Sequence, residues 1–236
     1  MTECARVLRG RLSERGGRLI LLPIPTTRDN KYISGSDTSI DGVGRLLTSG
    51  TTLAGYSVPP MLCRAAEEVG CLVYDGALDE DFLIANAELT ARGAVGYILT
   101  NSKKDLSDMR VGVVGYGRIG MRLASWLLRF GCNVTVYTGR PEVALELGGN
   151  GIDTEMVGEI SSLAGLDILI NTAPARQIDD RFLSPDLTII DLASGNIFPQ
   201  SEGVVKLASV PELYYPITAG RLYADAILRS IGEENI

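Results

Sequence analysis

The sequence predicts an α/β protein with a doubly wound parallel-sheet domain in its second half and a smaller α/β domain before it. Short apolar runs alternate with helix-patterned segments along the chain, and this alternation is typical of α/β layers. A glycine-rich hexapeptide, GYGRIG at 115–120, joins an apolar strand to an apolar-periodic helix. The 236 residues are 45% hydrophobic and 22% charged, which is enough apolar material for two modest domain cores.

The composition excludes several classes of function. A formal net charge of −7 argues against a nucleic-acid partner, because no basic face is expected that could cover a phosphate backbone. No apolar run approaches the length of a membrane span and no signal peptide is evident, so we expect a cytoplasmic protein. The absence of histidine excludes Ser-His-Asp, Cys-His and His-metal mechanisms. None of the four cysteines forms a CxxC pair, and we expect no metal site.

The first half of the chain is predicted to form strands and helices around a long polar loop. The expected elements are a helix at 2–14, a strand at 18–24, a loop at 26–41, a short strand at 45–49, a helix at 59–70 and a strand at 71–74. The next segment, 79–99, has apolar residues at helix spacing, with a break expected near Gly93. We interpret this segment as a connector helix between two domains.

The second half shows a more regular alternation. Strands are expected at 110–114, 133–137, 167–171 and 187–192, and helices at 118–130, 141–147 and 218–231. The last helix carries an apolar stripe that includes Leu222 and Ile227, and no strand follows it. We therefore expect this helix to return to the first domain and contact the connector. The predicted domains are 1–104 with the connector, 105–214, and 215–236.

The turn at 115–120 carries the clearest chemical signal. Three glycines form GxGxxG between a strand and a helix, with a second strand downstream, which is the context of a dinucleotide-binding Rossmann domain. The first glycine would allow the tight turn, the second the approach of the pyrophosphate, and the third the packing of helix on strand. The alternative is a purely structural glycine turn. Free N–H groups at the helix N-terminus would bind the phosphates, and the residues assigned to the cofactor here are Gly115, Tyr116, Gly117, Arg118, Ile119 and Gly120.

The end of the second strand indicates NADP rather than NAD. An NAD site places Asp or Glu there to accept hydrogen bonds from the ribose 2′-hydroxyl. Here the strand runs into Thr138, Gly139 and Arg140, and the first carboxylate is Glu142. Thr138 could donate to a 2′-phosphate, Gly139 leaves room, and Arg140 could pair with the phosphate and stack on adenine. The alternative is that Arg140 is a solvated surface charge.

Two further strand ends are expected to flank the nicotinamide ribose, because ligands of open parallel sheets bind at the carboxyl ends of the strands. The alternative for Thr172 and Ser194 is ordinary capping of turns. The residues assigned to this part of the cofactor site are Asn171, Thr172, Ala173, Pro174, Ala193 and Ser194.

Four segments, GYGRIG, ILINTAP, IIDLAS and YPITAG, occur in an order that resembles the NAD(P)-binding domain of the D-2-hydroxyacid dehydrogenase superfamily. That superfamily uses a substrate-binding arginine and a catalytic histidine. The corresponding positions are Ser194 and Ile217 in this chain, which has no histidine elsewhere. An ordinary 2-hydroxyacid dehydrogenase is therefore not expected.

The chain more closely resembles the family of the dipicolinate synthase A subunit. The resemblance covers most of the chain from about Leu19 and rests on the segments 22–27, 49–50, 86–93, 115–120, 170–174, 191–194 and 216–220. Three departures stand out. We expect the first βαβ unit of the family to be missing, the family's glutamate is replaced by Arg92, and the family's arginine and paired glycines are replaced by Gly195, Asn196, Ile197 and Phe198.

The resemblance implies an NADP-linked oxidoreductase that transfers a hydride to or from a cyclic dihydrodipicolinate-type dicarboxylate in a cleft between the domains. It also implies a partner, which would be a flavoprotein-like B subunit, together with a link to sporulation and a homo-oligomer. A dianionic substrate needs cations and hydroxyl donors. The candidates are Thr26, Thr27 and Arg28 after the first strand, Arg92 and Arg221, and Thr218 at the start of the last helix.

Two other functions stay open. The chain could be a non-catalytic NADP-binding regulatory subunit, which the missing glutamate, arginine and histidine support. It could also be an atypical 2-hydroxyacid-dehydrogenase-like enzyme, which would need a lysine or an Asp–Arg pair in the cleft, and none is evident. The sequence names no general base for any of these functions.

Overall fold

The structure, a computed structural model, describes residues 3–12, 18–195, 197–198 and 203–233. These residues form two compact units. The first unit contains the described residues up to Asn86 and those from Tyr215 onward, and the second contains the described part of Ala87–Tyr214. Within these ranges, no helix combines the length and apolar character needed to cross a bilayer.

The described residues form nine strands and eight α-helices, which are numbered here in chain order. The first unit contains α1 Glu3–Leu12, β1 Arg18–Leu21, α2 Ile40–Gly44, β2 Thr51–Gly55, α3 Pro60–Glu68 and β3 Leu72–Asp75. The long helix α4 Glu80–Asn101 leads into the second unit. There follow β4 Arg110–Val114, α5 Arg118–Arg129, β5 Asn133–Thr138, α6 Pro141–Gly149, β6 Asp153–Met156, β7 Ile168–Asn171, β8 Thr188–Asp191, β9 Val204–Lys206, α7 Val210–Tyr214 and α8 Pro216–Glu233.

The first unit is a three-stranded parallel sheet in the order β1-β2-β3. The last helix, α8, packs closely on α1, since a β-carbon at Gly220 would lie 2.7 Å from the β-carbon of Glu3. The stripe predicted on α8 packs into this unit, with Ile227 buried and Leu222 partly buried. Ile227 shares a buried cluster with Phe82 at the start of α4, whose ring lies 5.2 Å from that of Tyr223. Within this unit, the final helix therefore packs beside the start of α4.

The predicted strand at 45–49 is wrong, and the strand lies instead at Thr51–Gly55. Ser39 accepts a hydrogen bond from the backbone N–H of Gly42 and thereby caps α2, which turns the chain before residue 45. Arg45 and Leu46 are exposed, whereas all five residues of β2 are buried. A short run of threonine, alanine and glycine has too little hydrophobic pattern to reveal a central strand.

The second unit contains a six-stranded, fully parallel sheet in the order β6-β5-β4-β7-β8-β9. This strand order has its switch point between β4 and β7, and it confirms the predicted doubly wound Rossmann topology. The edge strands β6 and β9 and the short helix α7 were not predicted. Sequences such as DTEM and VVK are short and only half-buried, so their periodicity is weak.

Helices α4 and α5 cover one face of this sheet, where Val95 and Leu127 pack in one cluster with Val113. The other face is covered by irregular connections, through residues such as Ile160 and Ile178. The break expected near Gly93 is wrong, because α4 is continuous there. A β-carbon at Gly93 would lie 2.4 Å from Cγ1 of Val210, so this glycine serves close packing.

Candidate dinucleotide-binding site

The glycine turn joins β4 to α5 with almost no space between them. Gly115 has φ +89°, a left-handed conformation that favours glycine. A β-carbon at Gly120 would lie 2.1 Å from the carbonyl oxygen of Gly115, so only glycine lets the helix approach the strand this closely. Thr172 reinforces the turn, because its hydroxyl donates to the carbonyl oxygen of Val114 at 2.9 Å. The turn therefore has a structural role whatever it binds.

Gly117 has a different environment. It is the N-cap residue of α5, has no side chain to cap the helix, and has an extended backbone. A β-carbon at Gly117 would meet nothing within 4 Å, so the outer side of the turn is open. The first N–H groups of α5 thus receive no side-chain cap, and helix N-termini of this kind bind phosphate.

The other residues of the turn surround this open side. Gly117 and Arg118 are exposed, while Tyr116 and Ile119 pack partly against the core. Burial raises the pKa of Tyr116, and Glu146 acts in the same direction, so its phenol remains a hydrogen-bond donor at neutral pH. The structure thereby brings the six predicted residues together around an open glycine turn.

The end of β5 lies beside that turn. The guanidinium of Arg140 donates a hydrogen bond to the carbonyl oxygen of Tyr116. The hydroxyl of Thr138 accepts from the backbone N–H of Arg140 at 3.2 Å, and Thr138 is only 2% exposed. Gly139 is exposed, and Glu142 belongs to the first turn of α6. The exposed cation at this strand end is therefore Arg140. The buried hydroxyl of Thr138 binds the backbone N–H of this arginine.

On the other side of β4, three neighbouring strands end in a polar row. Asn171 pairs in register with Asp191, which pairs in register with Lys206. The amide of Asn171 donates to Oδ1 of Asp191 at 2.8 Å, and Nζ of Lys206 donates to Oδ2 of Asp191 at 2.8 Å. Asn171 and Asp191 are each 1% exposed, so their polar groups depend on one another for hydrogen bonds.

The loops that follow these strands hold the remaining predicted cofactor residues. The N–H of Ala173 donates to the side-chain oxygen of Asn171 at 3.2 Å, and the N–H of Ala193 donates to Asp191 at 3.2 Å. Ala173 and Ala193 are buried, whereas Pro174 and Ser194 are exposed. Of the departures noted after Ala193, Asn196 lies outside the described residues.

Lys206 was missed by sequence reasoning, which found no lysine that could serve such a site. The ammonium of Lys206 also donates to the carbonyl oxygens of Ala193 and Gly195. The available signal was the short run Gly203-Val204-Val205-Lys206, which could have been taken as a glycine turn and an edge strand. Only the pairing of β9 with β8 brings this lysine to Asp191.

In the first unit, the predicted substrate residues follow β1. Thr26 is fully buried, and its hydroxyl accepts from the N–H of Tyr56 at 3.0 Å, which ties this loop to the end of β2. The hydroxyl of Thr27 accepts from the N–H of Asn30 at 3.0 Å within a tight turn. Arg28 is exposed. The structure thus gives both threonines a structural role, and a contact of any of the three with substrate stays a prediction.

The end of β2 contains a feature that the sequence did not reveal. Ser57 has φ +54°, which is uncommon for a residue other than glycine, and its side chain is exposed. The carboxylate of Asp75 holds this conformation by accepting from the N–H groups of Ser57 at 2.8 Å and Val58 at 2.9 Å. Ser57 is therefore a hydroxyl held at the carboxyl edge of the first sheet.

The predicted substrate residues Arg92 and Thr218 lie on helices. The guanidinium of Arg92 donates to Glu88 at 2.8 Å and lies 5.1 Å from the centre of the Trp126 ring, on the helical layer of the second unit. Thr218 is exposed in the first turn of α8, which begins at Pro216. Within the described ranges, no group of three Cys, Asp or Glu side chains could hold a metal ion.

Comparison with known proteins gives these features a context. Residues 90–186 match the profile described as D-isomer specific 2-hydroxyacid dehydrogenase, NAD binding domain, which indicates a nicotinamide cofactor. A curated relative, the A subunit of dipicolinate synthase from Bacillus subtilis (strain 168), is 27% identical over 165 residues. The chain resembles this A subunit. The match covers 65% of this chain and 56% of the relative, so the chain spans little more than half of that relative's length.

Solved structures show the same fold. The dipicolinate synthase A subunit from Bacillus halodurans has a TM-score of 0.72 and 22% identity, with coverage of 89% of this chain and 78% of that one. Its counterpart from Bacillus subtilis has a TM-score of 0.73 and 21% identity, with coverage of 91% and 78%. The resemblance inferred from the motifs is confirmed. Residues 90–186 thus resemble the NAD-binding domain of a dehydrogenase family, and the chain shares the fold of the dipicolinate synthase A subunits.

Proposed function

We propose that this chain is an NADP-linked oxidoreductase subunit of the dipicolinate synthase A type. The observation that carries the proposal is the open glycine turn, with an uncapped helix N-terminus at Gly117 and the guanidinium of Arg140 beside it. The first feature suits a diphosphate and the second suits a further phosphate on the adjacent ribose.

The preference for NADP follows from the charges at the end of β5. An NAD site places a carboxylate there to accept from the ribose 2′-hydroxyl, and this strand end carries Gly139. Arg140 is exposed and has N–H donors beyond the one that it gives to Tyr116. Thr138 supports the backbone of Arg140, so we assign it a positioning role and give the phosphate contact to the arginine.

When bound, the nicotinamide cofactor would accept or supply a hydride. A cyclic dihydrodipicolinate-type dicarboxylate would lose one hydride from a ring carbon and one proton, and would become aromatic. Aromatisation is downhill, so water or a weak base suffices for the proton in a chain without histidine. For the two carboxylates we keep Thr26, Thr27, Arg28, Arg92 and Thr218 as the proposed binding residues.

Calorimetric titration tests the cofactor part of the proposal. The wild-type chain should bind NADP more tightly than NAD. Gly117→Val should lose most NADP binding and keep its fold, because the added methyl groups occupy the open side of the turn. Gly148→Val is the matched control: Gly148 also faces open space, but it lies in the last turn of α6, which leads away from the carboxyl edge. Normal binding by Gly117→Val would show that the turn is only structural.

A turnover assay tests the catalytic part. Formation of NADPH from NADP and a cyclic dihydrodipicolinate-type acid supports the oxidoreductase. Tight NADP binding without turnover, with or without an added B subunit, supports the second candidate, a non-catalytic NADP-binding regulatory subunit. That candidate is favoured by Ser194 and Ile217, which stand where related dehydrogenases carry their arginine and histidine, and by the engagement of Arg92 with Glu88.

Further parts of the proposal rest on the resemblance alone. They are a flavoprotein-like B subunit, a homo-oligomer and a link to sporulation, whereas the cytoplasmic location is proposed from the sequence. The third candidate, an atypical 2-hydroxyacid-dehydrogenase-like enzyme, would need a lysine that is available to the substrate, and the ammonium of Lys206 is already bonded to Asp191 and to the carbonyl oxygens of Ala193 and Gly195.

A further inference from the structure

The polar row Asn171–Asp191–Lys206 occupies one half of the carboxyl edge of the Rossmann sheet. These residues end β7, β8 and β9, which lie on the far side of β4 from β5 and Arg140. A dinucleotide whose diphosphate binds at the turn after β4, with its adenosine phosphate toward β5, extends its other half toward β7 and β8. The row therefore lies on the nicotinamide side of the proposed site.

The hydrogen bonds of Lys206 show which groups its ammonium binds. An ammonium has three N–H donors. Those of Lys206 reach Oδ2 of Asp191 and the carbonyl oxygens of Ala193 and Gly195. The side chain is 28% exposed, yet all of its donors are directed inward to its own chain. Lys206 is therefore engaged in holding the turn at 193–195 and does not offer a free cation to a substrate.

Asp191 binds the same turn through a backbone N–H group. One oxygen of its carboxylate accepts from the N–H of Ala193 at 3.2 Å and from the amide of Asn171 at 2.8 Å, and the other accepts from Lys206. The ion pair thus binds both the N–H and the carbonyl of Ala193. Gly195 has φ +131°, so the held turn also needs glycine at its end.

The Asp191–Lys206 ion pair is directed at the backbone of a single turn. Replacement of a buried ion pair by well-packed apolar residues is often neutral or stabilising, so such a pair is weak support for a purely stabilising role. Here the ammonium and the carboxylate both end on the backbone of one turn, which contains the exposed Ser194. The pair fixes the position of that backbone.

We propose that Lys206, paired with Asp191, is a positioning residue that holds the Ala193–Gly195 turn as the wall of the nicotinamide half of the cofactor site. This inference rests on the proposed function, because it assumes that the second unit binds a nicotinamide dinucleotide. It adds a residue that acts on one half of the cofactor and leaves the other half unaffected.

Binding of two ligands tests this division. Calorimetry compares NADPH with 2′,5′-ADP, which contains the adenosine half but no nicotinamide. Lys206→Met should weaken NADPH binding at least about tenfold, as expected for loss of charge-assisted hydrogen bonds, and should leave 2′,5′-ADP binding within about twofold. Lys206→Arg, which keeps the charge and the donors, should restore part of the loss.

The matched control is Lys104→Met. Lys104 forms an ion pair with Asp167, which precedes β7 at the opposite edge of the same sheet. This control should bind both ligands normally. If Lys206→Met weakens the binding of both ligands equally, the substitution causes a general loss of structure. If the affinity for both is unchanged, the ion pair is merely structural. Either result overturns the inference.

Hydrogen exchange in the cofactor-free protein provides a second readout. The amide of Ala193 should exchange faster in Lys206→Met than in the wild type, because Asp191 loses the partner that fixes it. Unchanged exchange at Ala193 would overturn the positioning role. If the wild-type chain binds neither ligand, the proposed function fails, and the exchange result still shows whether Lys206 holds the turn.

Discussion

Gly120→Ala is the substitution whose effect the structure fixes best. A β-carbon at this position would lie 2.1 Å from the carbonyl oxygen of Gly115, and both groups belong to the backbone, so neither can rotate away. Relief requires α5 to move from β4 by about 1 Å, and overpacking of this kind costs up to about 3 kcal/mol. Alanine regains about 1 kcal/mol of helix propensity, because Gly120 is a helical residue. The net loss in the free energy of unfolding is therefore about 2 kcal/mol.

Urea unfolding, followed by circular dichroism, measures this loss as a lower midpoint with an unchanged slope. The matched variant is Gly148→Ala, the same change in a helix whose glycine faces open space. That variant should gain up to about 1 kcal/mol. If Gly120→Ala is as stable as the wild type, then the close contact of α5 with β4 does not exist in solution, and the tight geometry of the glycine turn is wrong.

Four other predictions concern the cofactor, the chemistry and the response to acid. Arg140→Ala should weaken NADP binding by about 1.5–3 kcal/mol and leave NAD binding unchanged, as measured by calorimetry, whereas an equal effect on both would deny the arginine its role. Gly139→Asp should raise the affinity for NAD and lower that for NADP, because a β-carbon there meets only ordinary contacts and the carboxylate would repel a 2′-phosphate. Lactate, glycerate and glyoxylate should not be turned over with either cofactor, and robust turnover of any of them would contradict the family resemblance. The pKa of Glu3 is lowered to about 2, first by the hydrogen bonds from Arg6 and then by Arg221, so its contribution to stability is present above the ordinary value of 4.5 and is lost as the pH falls toward 2. The melting temperature of Glu3→Gln should therefore fall less than that of the wild type over this interval, and parallel curves would refute the assignment.

The fold of the second unit could be predicted from the sequence wherever the hydrophobic period is strong. The strand before Gly115, the helix after Gly117 and the next strand were all located within a residue or so of their observed ends. The edge strand β9 was missed, since three half-buried residues give no reliable period. The short strand predicted at 45–49 was wrong, since capping by Ser39 and the burial of small residues decided that region.

The candidate site could be predicted where its residues directly follow a strand. The glycine turn and Arg140 follow one strand each, so sequence position alone places them at the carboxyl edge of a parallel sheet. Sequence position did not indicate that Thr138 is buried or that the hydroxyl of Thr26 accepts a hydrogen bond from the backbone N–H of Tyr56. Burial and hydrogen-bond partners depend on segments that are distant in the sequence, and no local pattern encodes them.

The sequence by itself determined the chemistry that this protein can use. The absence of histidine, the glycine at position 117 and the lack of a carboxylate before Arg140 are local facts, and each limits the cofactor or the mechanism without reference to the fold. Only the tertiary structure decided which residues meet. Lys206 lies far along the chain from Asn171, yet the order of β7, β8 and β9 sets both beside Asp191. Strand order is chosen by the burial of whole faces of the sheet, so contacts across strand ends become visible only when the sheet is assembled.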